Sequence, residues 1–264
     1  MKPPVSHYHR PGSLDEVIEV LGYCRSDAAI LAGGQSLVPL LALRRIRPKH
    51  LVDLQRVSEL TSIARADRVV RIGAMTRHRQ LEHDRSAPGL MRRAARNIGS
   101  PEIRNRGTLG GSIAFADPAA EWPAVVVAMD AVLTVASLRG YRRIPARDFF
   151  TNAHTTLLAA DELLIEIDVP ADELPFGFAE ASRRGPGDFA LAGAVCHGPS
   201  VVVFGAGGRP QRLVGVESVM RADDAPDVLL RTAKAEIDAV SEYRRHVAAT
   251  LAVRVVEDAR SRDE

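Results

Sequence analysis

The sequence predicts a mixed α+β chain in two domains, a larger one followed by a smaller one, and three observations predict it. Its 264 residues, 46% of them apolar, suffice to bury a sizeable core and allow one large domain or two moderate ones. Strand-like and helix-like segments alternate near the N-terminus and then recur as pairs of strands and pairs of helices. Two glycine pairs, Ala32-Gly33-Gly34-Gln35-Ser36 and Thr108-Leu109-Gly110-Gly111-Ser112, punctuate that region, each beside an apolar stretch and each followed by a small hydroxyl residue.

Ser13 opens the first helix as a capping box, its hydroxyl set for the backbone N–H of Glu16 while Glu16 reaches back, and Val17, Ile18, Val20 and Leu21 follow at helical spacing. A strand over 28–32 delivers the first glycine pair, a buried helix over 37–43 leaves it, and 51–54 reads as the next strand. The Pro and Arg cluster over 44–48 is a turn inside this unit. Strands over 61–65 and 69–72 restart the pattern, followed by helices over 77–83 and 88–97 and by the second glycine pair, read as a loop. The stretch 118–129 is helical, with Pro123 tolerable in the first turn, and 131–137 and 163–169 are strands. Residues 171–175 mark the domain boundary. Beyond it come strands over 177–181 and 201–204, a Gly-rich turn over 205–208, and helices over 228–240 and 242–259.

A loop packed closely on phosphate has no room for a Cβ and must turn backbone N–H groups to the anion, so two such glycine pairs together point to a dinucleotide. Neither pair forms a G-x-G-x-x-G or a G-x-x-x-x-G-K-[ST], which excludes the Rossmann and P-loop forms. The 35 basic and 33 acidic residues nearly cancel, which excludes the one-signed surface that nucleic acid or an anionic membrane requires. Basic runs such as Arg92-Arg93 and Arg142-Arg143 read as solvated faces. No run approaches the roughly 18 apolar residues of a membrane span, and Met1-Lys2-Pro3-Pro4 opens no signal peptide, so a cytoplasmic location is expected. Cys24 and Cys196 are too few to hold an iron–sulfur cluster, and a disulfide between them is not expected in a reducing compartment. Any electron carrier here is organic or sits on a partner.

Several segments share one order and spacing: residues 32–39, Ile103-Arg104-Asn105-Arg106 leading into 107–112, Ala116-Asp117-Pro118-Ala119-Ala120-Glu121, Arg183-Arg184, residues 188–193 and Glu242-Tyr243-Arg244-Arg245-His246. Together they resemble the FAD-binding medium subunits of the molybdenum hydroxylases, such as xanthine dehydrogenase and carbon monoxide dehydrogenase. The resemblance implies a two-subdomain FAD-binding domain of the vanillyl-alcohol-oxidase-like type over 1–172, its subdomains spanning about 1–56 and 57–172. A small, shortened α+β C-terminal domain over 173–264 follows.

It also implies site residues. Leu31, Ala32, Gly33, Gly34, Gln35, Ser36 and Leu37 wrap the FAD pyrophosphate; Thr108, Leu109, Gly110, Gly111 and Ser112 complete the cradle, with the two hydroxyls on phosphate or ribitol. Asp117 and Glu121 offer carboxylates to ribose or ribitol hydroxyls, Asp117 being equally a helix N-cap before Pro118. Ile98 lies against the flavin or in the core, Leu164 and Ile165 meet the adenine side, and Phe189 covers the isoalloxazine or is an ordinary core residue. No His or Cys lies between Arg25 and Lys49, so FAD is expected to be noncovalent. Glu180 stands where relatives often carry a lysine beside the flavin; it faces the cofactor or pairs in solvent with Arg183 or Arg184. His78 and His83 read as surface residues on a polar helix.

The implied function is electron transfer: a molybdenum-cofactor large subunit and a small subunit with 2Fe-2S clusters are the partners, and NAD, a quinone or oxygen is the acceptor. A self-sufficient FAD-dependent oxidoreductase and a degenerate FAD-binding subunit without electron transfer are the rivals.

Overall fold

The structure is a computed structural model and describes residues 5–185, 187–221 and 225–261; the Met1-Lys2-Pro3-Pro4 opening lies outside the described residues. Strand β1 (His7–His9), helix α1 (Leu14–Cys24), β2 (Ala28–Leu31), α2 (Leu37–Ala42) and β3 (His50–Asp53) form a small unit around a parallel sheet of order β1-β3-β2. Helix α1 is capped as the sequence predicts, the Ser13 hydroxyl accepting from the Glu16 N–H at 3.3 Å, while the Glu16 carboxylate returns to the Gly12 N–H at 2.7 Å. Val17 and Leu21 on α1 bury against Val52, Leu54, Met75 and Leu163. Strand β1 is three polar residues and gave no periodicity to read.

A second unit follows as β4 (Ile63–Ala66), β5 (Val69–Gly73), α3 (His78–His83), α4 (Gly89–Asn97), α5 (Pro101–Arg106), α6 (Leu109–Phe115) and α7 (Glu121–Ala128). It continues through β6 (Val132–Ser137), β7 (Gly140–Pro145), α8 (Ala146–Phe149), β8 (Phe150–Asn152), β9 (Thr155–Thr156) and β10 (Leu163–Pro170). Its main sheet is antiparallel with order β4-β5-β10-β6-β7, and β8 pairs with β9 in a separate two-stranded sheet. Arg142 and Arg143 are both exposed on the edge strand β7, where they pair with the buried carboxylates of Glu162 at 2.7 Å and Asp168 at 2.8 Å. Helix α7 is buried on every side, which explains its almost unbroken apolar sequence, and Pro123 falls in its first turn where no intrahelical donor is lost.

The last part is an antiparallel sheet of β11 (Phe176–Ser182), β12 (Ala190–His197), β13 (Ser200–Phe204) and β14 (Gln211–Arg212), with α9 (Val214–Arg221), α10 (Pro226–Glu236) and α11 (Glu242–Arg260). Strand β13 shows how this sheet is held. Val202 and Phe204 join the large core around Trp122 and Val125, whereas Val201 and Val203 face a separate cluster with Leu229, Ala252 and Val256. Both faces are therefore buried, so the strand reads as a continuous apolar run.

Candidate functional site

Between the first two units, with residues 187–189 also contributing to its lining, lies a cavity of about 490 Å³. The first glycine pair forms one end. A Cβ on Gly33 would stand 2.4 Å from the Arg106 carbonyl oxygen and 2.7 Å from the Gly107 Cα, and Gly34 has φ +75°, so neither position accepts an ordinary side chain. The loop is braced from behind: Gln55 Nε2 donates to the Ala32 carbonyl at 2.7 Å and Gln35 Nε2 to that of Gly33 at 3.1 Å. Arg77 ties Gln55 to the Asn105 carbonyl. The backbone N–H groups of Gly33, Gly34, Gln35, Ser36 and Leu37 find no acceptor among the described residues.

The second pair is built differently. The expected loop over 108–112 is the N-terminus of α6, capped by Thr108, whose hydroxyl accepts from the Gly111 N–H at 3.2 Å. The other donors are also engaged: Leu109 bonds the Thr76 carbonyl at 2.9 Å, Gly110 that of Ala74 at 2.8 Å, and Ser112 that of Thr108 at 3.1 Å. Glycine is required here for packing, since a Cβ on Gly110 would lie 2.5 Å from the Ala74 Cβ. What this helix leaves available at the cavity is the Ser112 hydroxyl and the hydroxyl proton of Thr108.

Ala32 to Leu37, Ile98, Thr108, Gly110, Gly111, Ser112, Asp117, Glu121, Leu164 and Phe189 all line the cavity; Leu31, Leu109 and Ile165 do not. The Leu31 carbonyl accepts from Leu54, Leu109 is fully buried in the large core, and Ile165 packs on the α1 side while its carbonyl takes the Ala74 N–H. Ile98 belongs to the core and to the cavity wall at once. Arg104 fixes that wall, donating to the Ile98 and Gly99 carbonyls at 3.2 and 2.9 Å while pairing with Glu82 at 3.0 Å. Phe189 is 76% exposed at the rim, which overturns the reading of an ordinary core residue. Asp117 is not a helix cap either. Its Oδ1 accepts from the Ala119 N–H at 2.9 Å in a turn, and α7 starts only at Glu121 with Ala120 as its cap.

His78 is the main correction among the polar groups. It is buried, not a surface residue, and lines the cavity floor; Trp122 Nε1 donates to its Nδ1 at 3.1 Å, which puts the remaining proton on Nε2. Burial, helped by Arg104, pushes it down to about 3, so the ring is neutral. Sequence gave no sign of this, because the neighbours of His78 on α3 are polar; the one tryptophan, needing a buried acceptor, was the available hint. Met75 and Gly107 also line the cavity and were not anticipated.

Glu121 is buried in the wall, and desolvation, with a further push from Glu180, raises it to about 8. Glu180 is itself raised to about 7 by burial; its Oε2 is buried with no hydrogen-bond partner, and it does not line the cavity. The solvent pairing with Arg184 fails, since Arg184 pairs with Asp188 at 2.8 Å. Among the described residues, no Lys or Arg lines the cavity. An anionic group bound there meets neutral donors, and the first loop is where the unused backbone N–H groups are concentrated.

Residues 4–172 match the family described as the FAD binding domain in molybdopterin dehydrogenase. The chain is 40% identical over 242 residues to the 6-hydroxypseudooxynicotine dehydrogenase complex subunit alpha of Paenarthrobacter nicotinovorans, covering 87% of this chain and 79% of the relative. It is 34% identical to the nicotine 6-hydroxylase medium subunit of the same organism, covering 99% of this chain and 100% of that one. Among solved structures, a chain of the reconstituted CO dehydrogenase from Oligotropha carboxidovorans superposes with a TM-score of 0.91 at 31% identity, covering 99% of this chain and 100% of that one.

Proposed function

The chain belongs to the FAD-binding domain family of the molybdopterin dehydrogenases, and from that premise we propose that it is the FAD-carrying medium subunit of a multi-subunit molybdenum hydroxylase, passing electrons from iron–sulfur clusters on a partner to an external acceptor. The supporting observation is the set of N–H groups over residues 33–37 that, among the described residues, are unused and stand beside a cavity without cationic side chains. This set fits a pyrophosphate, and glycine at 33 lets the loop carrying it pack on the Arg106–Gly107 backbone, where a Cβ would collide. The loop holds the pyrophosphate, and Thr108, Ser112 and Asp117 serve the sugar and ribitol hydroxyls. Ile98 and Leu164 wall the rings, and Phe189 covers the open face.

FAD, when bound, supplies the exchange between one-electron and two-electron carriers. The chain's own contribution is position and polarity. His78 and a protonated Glu121 add no charge of their own to a wall that also holds Asp117, Glu162 and Asp188, and Glu121, as an acid, donates a hydrogen bond that a carboxylate could not. With two cysteines in the chain, both free and buried, molybdenum and 2Fe-2S clusters belong to a large and a small partner subunit. No helix among the described residues is long and apolar enough to cross a membrane.

The isolated chain is expected to be yellow, to release one equivalent of FAD into the supernatant on acid precipitation, and to carry neither iron nor molybdenum. Purified from its native host, it is expected to bring down partners that contain both. Flavin retained on the pellet contradicts noncovalent binding. Bleaching of the isolated chain by a purine, an aldehyde or a heteroaromatic substrate contradicts the subunit role.

A further inference from the structure

His9, Cys24 and His50 stand on three separate elements, β1, the end of α1 and β3, yet their ligand-capable atoms lie within 4.8 Å of one another. The parallel register brings them together. His7 pairs with His50 and His9 with Val52, so the rings of His7, His50 and His9 form a column on one face, with centroids 4.8 and 5.2 Å apart. His9 Nε2 and His50 Nδ1 face each other at 2.9 Å, sharing one proton. The Cys24 thiol is free and buried beside them. None of these groups lines the cofactor cavity.

We propose that His9, Cys24 and His50 bind a borderline transition-metal ion, with Zn²⁺ the best match, through two imidazole nitrogens and a thiolate, a water completing the tetrahedron. Zn–N bonds of about 2.0–2.1 Å and a Zn–S bond of about 2.3 Å put tetrahedral ligand atoms about 3.4–3.6 Å apart. The imidazole nitrogens, now 2.9 Å apart, must separate by about half an ångström, and the most distant pair, at 4.8 Å or less, must close by about 1 Å. Rotation about side-chain torsions covers both movements. On loading, the thiol proton goes to solvent and the shared imidazole proton moves to the other nitrogen of its ring, so both metal-facing nitrogens offer lone pairs.

The site is separate from the cofactor cavity. His50 pairs with the first residues of β1 and β2, whereas the first glycine pair follows the last residue of β2, about 10 Å further along at ~3.3 Å per residue. A bound ion ties the last residue of α1 to two strands and stabilises the unit by mass action.

The test is calorimetric titration of the full, tag-free, EDTA-treated chain with Zn²⁺, together with Co²⁺ difference spectra in which bound flavin cancels. One ion per chain at a Kd of about 1 µM or tighter is expected. A thiolate-to-cobalt charge-transfer band should accompany it, and the flavin spectrum should not change. Cys24→Ser is expected to abolish that band and weaken Zn²⁺ binding at least tenfold; His50→Asn, which spares the buried thiol, is expected to weaken it as much should the serine variant fail to fold. Weaker binding to the unsubstituted chain, or binding at full strength in both variants, overturns the proposal and leaves a hydrogen-bonded histidine pair over a packed cysteine.

Discussion

Residues 33–37 leave five backbone N–H groups beside the cavity with no described acceptor, whereas residues 109–112 engage all four of theirs with Thr76, Ala74 and Thr108. Both segments use glycine because a Cβ would collide, Gly33 with the Arg106–Gly107 backbone and Gly110 with Ala74. A glycine pair thus marks a close approach. Which partner it approaches, and whether its donors are left over for a ligand, follows only from accounting for every N–H.

The largest expected effect is at Gly34. Asn and Asp tolerate its φ of +75°, so Gly34→Asn keeps the turn while Gly34→Asp adds a carboxylate among the donors. A like charge about 4 Å from a phosphate costs on the order of 4 kcal/mol at an effective dielectric of 20. FAD affinity, measured by fluorescence titration of the apoprotein, is expected to fall at least about 100-fold in Gly34→Asp and about 10-fold or less in Gly34→Asn. Equal losses would mean that shape, not the donors, sets affinity.

Glu121 tests the premise that this buried acid of the cavity wall stays protonated at neutral pH. Its folded value of about 8 exceeds the ordinary 4.5, so below pH 4.5 it is protonated folded or unfolded and has no effect on stability. Between those values the unfolded chain releases a proton that the folded chain keeps, and stability falls as pH rises. Glu121→Gln is expected to remove this decline, gaining on the order of 2–4 kcal/mol at pH 8.5 relative to pH 4.5. Melting curves of the two proteins that stay parallel across this range would mean that Glu121 is an ordinary carboxylate.

Gly110→Ala should separate the two glycine pairs by kind of damage. Overpacking against Ala74 is expected to cost about 1–3 kcal/mol of stability. The FAD affinity of the folded protein should stay within about threefold. A large loss of affinity without loss of stability would give this helix the role assigned to the first loop. Thr108→Val is the mildest case: loss of the cap is expected to cost about 1 kcal/mol in denaturant unfolding, and FAD affinity should fall less than about tenfold.

Much of the fold was legible where residues follow one period, as in α1 with its Ser13 cap, α4, β6 and α11. The elements that escaped have local reasons. Strand β1 is polar and short, α5 has no buried residue to give it a stripe, and β12 carries small side chains without clean alternation. Helix α6 escaped because glycines at its start argue against helix by propensity, while the Thr108 cap and the fit against Ala74 override that preference. Most expected site residues line one cavity because the loop motifs themselves are contiguous. His78 was hidden because its burial depends on Trp122, 44 positions away, and the state of Glu121 depends on its burial in the fold, with a further push from Glu180 on β11.

Amide hydrogen exchange, followed with and without FAD, tests the contrast between the two glycine motifs most directly. Without FAD the amides of 33–37 should exchange rapidly and those of 109–112 slowly, since only the latter have protein acceptors. With FAD, protection is expected to appear at 33–37 and to stay unchanged at 109–112. Protection gained at 109–112 while 33–37 continues to exchange freely would contradict the account.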